Sequence, residues 1–111
     1  MTKKDQDRKA RLLPEGKPRY IRCYDNGGET WDRYTVVFTG RYRGRRGQFM
    51  HVGMDHKPYH PQGFCQHGFN YSQIDYPTYG HLGKKISFDD LPADCQRLVL
   101  SDYREIWGLP A

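Results

Sequence analysis

The first half of the chain alternates between apolar and polar residues with the period of a β-strand. In residues 19–24, Ile21 and Cys23 fall on the same face. Residues 33–39 are rich in β-branched and aromatic side chains, and residues 48–54 alternate again. Glycine-containing links separate the three segments. We therefore predict three consecutive strands that form an antiparallel meander.

The second half predicts one helix, preceded by little regular structure. Residues 55–83 contain several prolines and glycines and show no periodicity, so we expect a long ordered loop there. Residues 84–88 are predicted to form a short edge strand. From Pro92 to residue 107 the apolar residues follow helical spacing. The predicted fold is α+β: a small antiparallel sheet of three to four strands, with the C-terminal helix packed on it and the long loop along an edge.

The composition indicates a folded domain whose core depends on aromatic rings. The chain has 111 residues, enough for one domain. Leu, Ile, Val and Phe together supply only 20 residues, but 14% of the chain is aromatic and nine residues are Tyr. Residues 1–17 are rich in charge and poor in apolar side chains. We predict a flexible basic N-terminal arm over residues 1–17 and a single α+β domain over residues 18–111.

The sequence carries no pattern typical of a membrane or secreted protein. No stretch approaches 18 consecutive apolar residues, and the N-terminus lacks the apolar core of a signal peptide. Cys23, Cys65 and Cys95 are widely spaced, which is typical of free thiols in a reducing compartment. We therefore expect a cytoplasmic protein that contacts no membrane. Cys23 and Cys95 occupy predicted core positions, and Cys65, in the predicted loop, is the thiol expected to be reactive.

Positive charge is concentrated in the first half of the chain. Residues 1–50 hold 13 Lys and Arg against 6 Asp and Glu, whereas residues 51–111 hold 5 against 7. At the second turn, guanidinium groups that bind phosphate surround a ring that can stack on a base. These candidate binding residues are Arg41, Tyr42, Arg43, Arg45 and Arg46. RNA or DNA is one partner for this turn, an acidic protein surface is another, and a solvated turn without a partner is the third interpretation.

The connection between the first two predicted strands is longer than a tight hairpin requires. It runs from Asp25 to Asp32 and carries three acids, an Asn, a Thr and a Trp. Arg33 borders an apolar strand and needs a carboxylate partner if it is buried. We hypothesise that this connection lies close to a polar pair in the second half and forms the main recognition or reactive site. The candidate binding residues are Asp25, Asn26, Trp31, Asp32, Arg33, Gln66 and His67.

Two alternatives to a binding site remain open for these residues. The same cluster can act as a structural clasp that ties the long loop to the first hairpin, and Trp31 can complete the core instead of anchoring a partner. The spacing of His51, His56, His60, Cys65, His67 and His81 does not match a zinc site, so we expect no metal and no cofactor. A hydrolytic site built from Asp25, Asp32, Gln66, His67, Asn70 and His81 is a further alternative, but we expect a binding protein rather than an enzyme.

Three motifs resemble a group of small accessory proteins carried by bacteriophages and plasmids. They are residues 24–38 (YDNGGETWDRYTVVF), the segment from Pro58 to His67 with its PQGF and QH runs, and residues 81–84 (HLGK) followed by a Leu-Pro helix. The group is uncharacterised, so the resemblance implies a setting rather than an activity: small accessory genes of mobile elements often encode proteins that disable host defences, anti-CRISPR proteins among them. We therefore expect an inhibitor that binds a host defence protein or ribonucleoprotein in the bacterial cytosol. The net charge of +5 argues against DNA mimicry. The alternatives are a nucleic-acid-binding regulator that uses the Arg-rich turn and a small hydrolase or nucleotide-processing enzyme.

Overall fold

The computed structural model describes residues 16–43, 48–72 and 82–109. Its five strands are β1 (Ile21–Asp25), β2 (Tyr34–Arg43), β3 (Gln48–Met54), β4 (Cys65–Ser72) and β5 (Lys84–Ile86). A short 3-10 helix, Phe88–Asp90, precedes the helix α1 (Ala93–Trp107). The fold is therefore α+β, as predicted, with one strand more than the upper limit of the prediction.

All five strands belong to one antiparallel sheet with the order β4-β3-β2-β1-β5. The first four strands form the predicted meander and its continuation, and β5 returns to pair with the free side of β1. Cys23 pairs with Val36 and with Ile86, and Val36 pairs with Val52. Paired residues share a face of the sheet, so this register assigns each side chain to one of two sides.

One side of the sheet is covered by α1, and a smaller cluster that includes Tyr24 and Val37 is buried on the other side. Cys95, Val99, Tyr103 and Ile106 form the buried face of the helix, at the spacing that the sequence predicts. They join one cluster with strand residues that include Tyr34, Phe38 and Met54 and that are also buried. Aromatic rings thus supply much of the core volume. The helix ends at Gly108, whose left-handed φ of 66° favours glycine and whose N–H bonds back to the last turn.

The expectation of a long irregular loop over residues 55–83 is wrong, because β4 lies within it. The backbone N–H of Asp55 donates to the carbonyl of Phe64 at 3.1 Å, which closes a compact hairpin loop. Within this loop the N–H of Gly63 donates to the carbonyl of His60 at 2.8 Å. A Cβ at Gly63 would lie 1.8 Å from the carbonyl oxygen of Lys57, so only glycine fits there. The β4 sequence contains no aliphatic or β-branched side chain and is flanked by prolines and glycines, so its strand preference is weak despite its alternation.

Two of the three cysteines lie in the core, as expected, and the third lies at the surface. Cys23 and Cys95 are buried, and burial raises the pKa of each thiol to about 12. Cys65 is exposed at the start of β4 and not in a loop. Partial burial and the charge of Asp102 raise its pKa, but Cys65 is the exposed thiol of the three, so its reactivity relative to the other two stays a prediction. Among the described residues, no helix is long and apolar enough to cross a membrane.

We predict that Gly83→Ala destabilises the fold far more than Gly27→Ala. Both glycines have positive φ, +89° and +79°, so each substitution introduces comparable backbone strain. A Cβ at Gly83 would also lie 2.3 Å from the carbonyl oxygen of Asp25, whereas nothing lies within 4 Å of a Cβ at Gly27. Urea denaturation should show a loss of about 1–2 kcal/mol for Gly27→Ala and a larger loss for Gly83→Ala. Equal losses would contradict the close packing of Gly83 against β1.

Candidate binding site at the first connection of the sheet

Asp25, the last residue of β1, organises the connection from β1 to β2. Its Oδ1 accepts a hydrogen bond from the N–H of Gly27 at 2.7 Å. Arg33 Nε donates to Oδ1 at 2.9 Å, and a terminal nitrogen of the same guanidinium donates to Oδ2 at 3.3 Å. Arg33 thus finds its carboxylate across the turn, and this hydrogen bonding holds the pKa of Asp25 below its ordinary value.

A second set of hydrogen bonds fixes the residues between Asp25 and Arg33. The Oδ1 of Asn26 accepts from the N–H groups of Gly28 at 2.9 Å and Glu29 at 3.1 Å. The amide nitrogen of Asn26 donates to Thr30 Oγ1 at 2.7 Å and to the carbonyl of Asp32 at 3.3 Å. The hydroxyl of Thr30 in turn donates to a carboxylate oxygen of Asp32. The connection is therefore closed by its own side chains before any partner arrives.

Trp31 stands out from this closed connection into solvent. Its side chain is 74% exposed, so it does not complete the core. The neighbouring Glu29 and Thr30 are exposed as well. Among the described residues, the other large apolar side chain with high exposure is Tyr59, at 52%, in the loop between β3 and β4. Trp31 is thus an exposed aromatic ring on a loop fixed by hydrogen bonds, an arrangement that suits the anchor of a protein interface.

Asp32 connects the loop to the side of the sheet that faces away from α1. A Cβ at Gly53 of β3 would lie 2.9 Å from the Cβ of Asp32, so the absence of a side chain at Gly53 lets Asp32 rest on the sheet. Gly53 pairs with Gln66 of β4, which is exposed and points to the same side. The structure thus brings Gln66 next to the connection, as the sequence hypothesis requires.

His51 lies on this same side of the sheet, two residues before Gly53. A Cβ at Gly68 of β4 would lie 2.7 Å from Cε1 of the His51 ring, so Gly68 leaves room for the imidazole. Burial lowers the pKa of His51, an effect that the charge of Asp32 opposes, and the ring is therefore neutral at neutral pH. The sequence places His51 in the third predicted strand and among the candidate metal ligands, but not in the recognition site. The sequence signal for its position here is the pair of glycines, Gly53 and Gly68, inside two neighbouring strands.

His67 lies on the other side of the sheet, away from Asp32. It pairs with Val52, whose side chain belongs to the core under α1. The Nε2 of His67 is 2.7 Å from Oδ2 of Asp102 on α1. Burial raises the pKa of Asp102, and the hydrogen bond from His67 opposes that rise. We expected His67 beside the connection; the structure instead shows it tying β4 to the helix.

The Arg-rich turn falls largely outside the described residues. The backbones of Arg41, Tyr42 and Arg43 belong to β2, where Tyr42 pairs with Phe49, but their side chains are not described. Arg45 and Arg46 lie outside the described ranges altogether. Within those ranges, no group of three or more His, Cys, Asp and Glu side chains is arranged to hold a metal ion.

Three comparisons with known proteins give no relative from which a role can be transferred. No protein-family model matches the chain, and no curated protein or solved structure is significantly similar to it. The function of the site must therefore be inferred from its own side chains. The Asp32 carboxylate, next to the exposed Trp31 in the chain, lies on the side of the sheet that carries His51 and Gln66, and polar groups around an aromatic anchor are typical of an interface.

The Asp25–Arg33 pair predicts a specific dependence of stability on pH. Because the pKa of Asp25 is lowered in the folded state, its stabilisation is present above the ordinary value of 3.8 and is lost as the pH falls through the lowered value. Asp25→Asn should therefore lower Tm at neutral pH, and the difference from wild type should disappear toward about pH 2. Glu29→Gln, which removes an exposed carboxylate of the same loop, is the control and should show no difference. A deficit of Asp25→Asn that persists in acid would contradict this account.

The contact between His67 and Asp102 predicts energetic coupling between β4 and α1. His67→Ala leaves the mostly buried Asp102 carboxylate without its partner, which should cost about 1–3 kcal/mol in urea denaturation at neutral pH. Asp102→Ala should also destabilise the protein. The double variant should lose less than the sum of the two single losses, with a coupling of about 1 kcal/mol. Strict additivity would show that the two side chains do not stabilise the fold through each other.

Proposed function

We propose that this protein acts by binding a macromolecular partner through a surface centred on Trp31. This Trp31 surface comprises Glu29, Trp31 and Asp32 of the connection, together with His51 and Gln66 on the adjoining sheet. The observation that carries the proposal is the 74% exposure of Trp31 on a loop closed by its own hydrogen bonds. The function is recognition, and we assign no reaction to it.

The energetics of association favour such a surface. Tryptophan is among the residues that contribute most to protein interfaces, because its ring buries a large area with few rotatable bonds. Ordering a loop on binding costs conformational entropy, and the hydrogen bonds of Asn26 and Asp25 have already limited that freedom in the unbound protein. A rigid loop that displays an indole therefore binds more tightly than a loose one with the same side chains.

We propose a host defence protein or ribonucleoprotein as the partner, bound in the cytosol of a bacterium. The support is the resemblance to small bacteriophage and plasmid proteins, in which the distinctive motif spans residues 24–38. That segment is the one that ends β1, forms the connection and begins β2. The protein then acts as an inhibitor, as anti-CRISPR proteins do, by occupying a surface that the defence system needs. The excess of Lys and Arg in residues 1–50 favours a partner with negative charge.

The second candidate function is that of a nucleic-acid-binding regulator. The sequence places four arginines within residues 41–46, at the link between β2 and β3. Such a regulator depends on phosphate contacts, so its affinity falls steeply with salt. The two functions are distinguished by which residues are needed, Trp31 in one case and the four arginines in the other.

We predict that Trp31→Ala strongly weakens capture of the partner while the fold is kept. The tagged protein is used to capture partners from host lysate, with and without nuclease treatment. Loss of the indole should weaken capture about 30-fold, with Tm within a degree or two of wild type, because an exposed side chain contributes little to stability. The matched control is Tyr59→Ala, which removes the other exposed ring and should leave capture unchanged.

The nuclease arm decides between the two candidate functions. A protein partner that survives nuclease and requires Trp31 supports the proposal. Capture of nucleic acid alone, lost when Arg41, Arg43, Arg45 and Arg46 are all replaced by Ala and retained in Trp31→Ala, would overturn it in favour of the regulator.

A further inference from the structure

The two edges of the sheet differ sharply in how they are protected from pairing. At one edge, β5 has only three residues, and two of them are the exposed lysines Lys84 and Lys85. Short, lysine-rich edge strands are a common device against association with another sheet. At the other edge, β4 has eight residues and contains no Lys, Arg, Asp, Glu or Pro. The β5 edge is therefore protected against pairing with another sheet, whereas β4 is neither short nor rich in lysine.

The first half of β4 is also regular and accessible. Cys65, Gln66 and His67 are all exposed. The register with β3 is continuous from Cys65 to Gly68, and the irregularity in the ladder falls beyond Gly68, toward Tyr71. In the part of the chain that the structure describes, β4 is the last strand of the sheet order, so its outer backbone groups face away from β3.

We propose that a second copy of this chain pairs antiparallel with β4 along residues 65–68. Two identical strands related by a two-fold axis offer the same N–H and C=O pattern to each other, which makes antiparallel edges self-complementary. Identical copies also place identical charges opposite one another, and like charges in opposed positions are destabilising. Since β4 has no Lys, Arg, Asp or Glu and the ring of His67 is bonded to Asp102, self-pairing meets no such repulsion. At β5, lysines would meet lysines.

The geometry of the pairing follows from the alternation of side chains. Residues that pair across the axis lie on the same face of the sheet. The two-fold axis therefore passes midway between one residue and its own copy, and that residue is Gln66 or one of its two neighbours. The two copies then form one continuous sheet of twice five strands, with both helices on the same side. A charge introduced at Gln66 faces its own copy, directly or diagonally.

The test is the oligomeric state of the full chain in reducing buffer, measured by sedimentation velocity from about 1 to 100 μM, the range in which pairs of moderate affinity form. Wild type should dimerise within this range. Gln66→Lys and Gln66→Glu should each weaken the dimer about fivefold or more, and a mixture of the two variants should recover it as a heterodimer. Ser101→Lys adds the same charge on an exposed position of α1 and should leave the dimer unchanged.

Hydrogen exchange provides the second measurement. The backbone amides of residues 65–68 should gain protection as the concentration rises and lose it in Gln66→Lys. A monomer at every concentration, with these amides either exchanging freely or protected by the chain itself, overturns the proposal. A dimer that Gln66→Lys does not weaken overturns it too. Trp31→Ala should dimerise as wild type does, so failure of this proposal is distinguishable from failure of the binding function.

Discussion

The carboxylate of Asp25 is the point at which the sheet and the candidate site meet. It accepts the Gly27 N–H and two bonds from Arg33, while the Asp25 backbone pairs with β2 on one side and β5 on the other. Gly83 packs against its carbonyl so closely that no side chain fits. One residue therefore sets how the connection leaves β1 and how Arg33 enters β2. The hydrogen bonds of Asp25 and Asn26 fix the backbone of this loop, and Trp31 is exposed on it.

The parts of the fold that the sequence predicts are those whose apolar residues are aliphatic or β-branched. Strands β1 to β3 and helix α1 carry that pattern on one face, and each forms near its predicted position. Strand β4 is different: its sequence CQHGFNYS alternates larger residues with small or polar ones, but it has no aliphatic or β-branched residue, and the prolines and glycines around it are typical of a loop. Its strand conformation comes from pairing with β3 and from the glycine-dependent loop that precedes it. These contacts join residues that are distant in the sequence, so the local hydrophobic pattern does not predict them.

The candidate site, like the fold, was predictable from the sequence only in part. The bond between Arg33 and Asp25 joins residues eight positions apart, so sequence reasoning reaches it from the need of a guanidinium for a carboxylate. The sequence hypothesis takes Gln66 and His67 together because they form the most polar segment of a predicted loop that is rich in aromatic rings. In a strand, adjacent residues point to opposite sides, and the two residues are separated by the sheet itself. His51 was missed because its place beside Asp32 depends on the register of three strands.

The two sides of the sheet differ in what packs against them and in which candidate site residues they carry. On one side, α1 and the contact between His67 and Asp102 close the core, so that side is committed to stability. The other side carries Asp32, His51 and Gln66 and also a second, smaller buried cluster that includes Tyr24 and Val37. In the proposed dimer the two-fold axis is perpendicular to the sheet, so both copies present this second side in the same direction. Two Trp31 surfaces would then face one partner together, and a symmetric or repetitive target would be held with the gain that bivalent attachment provides.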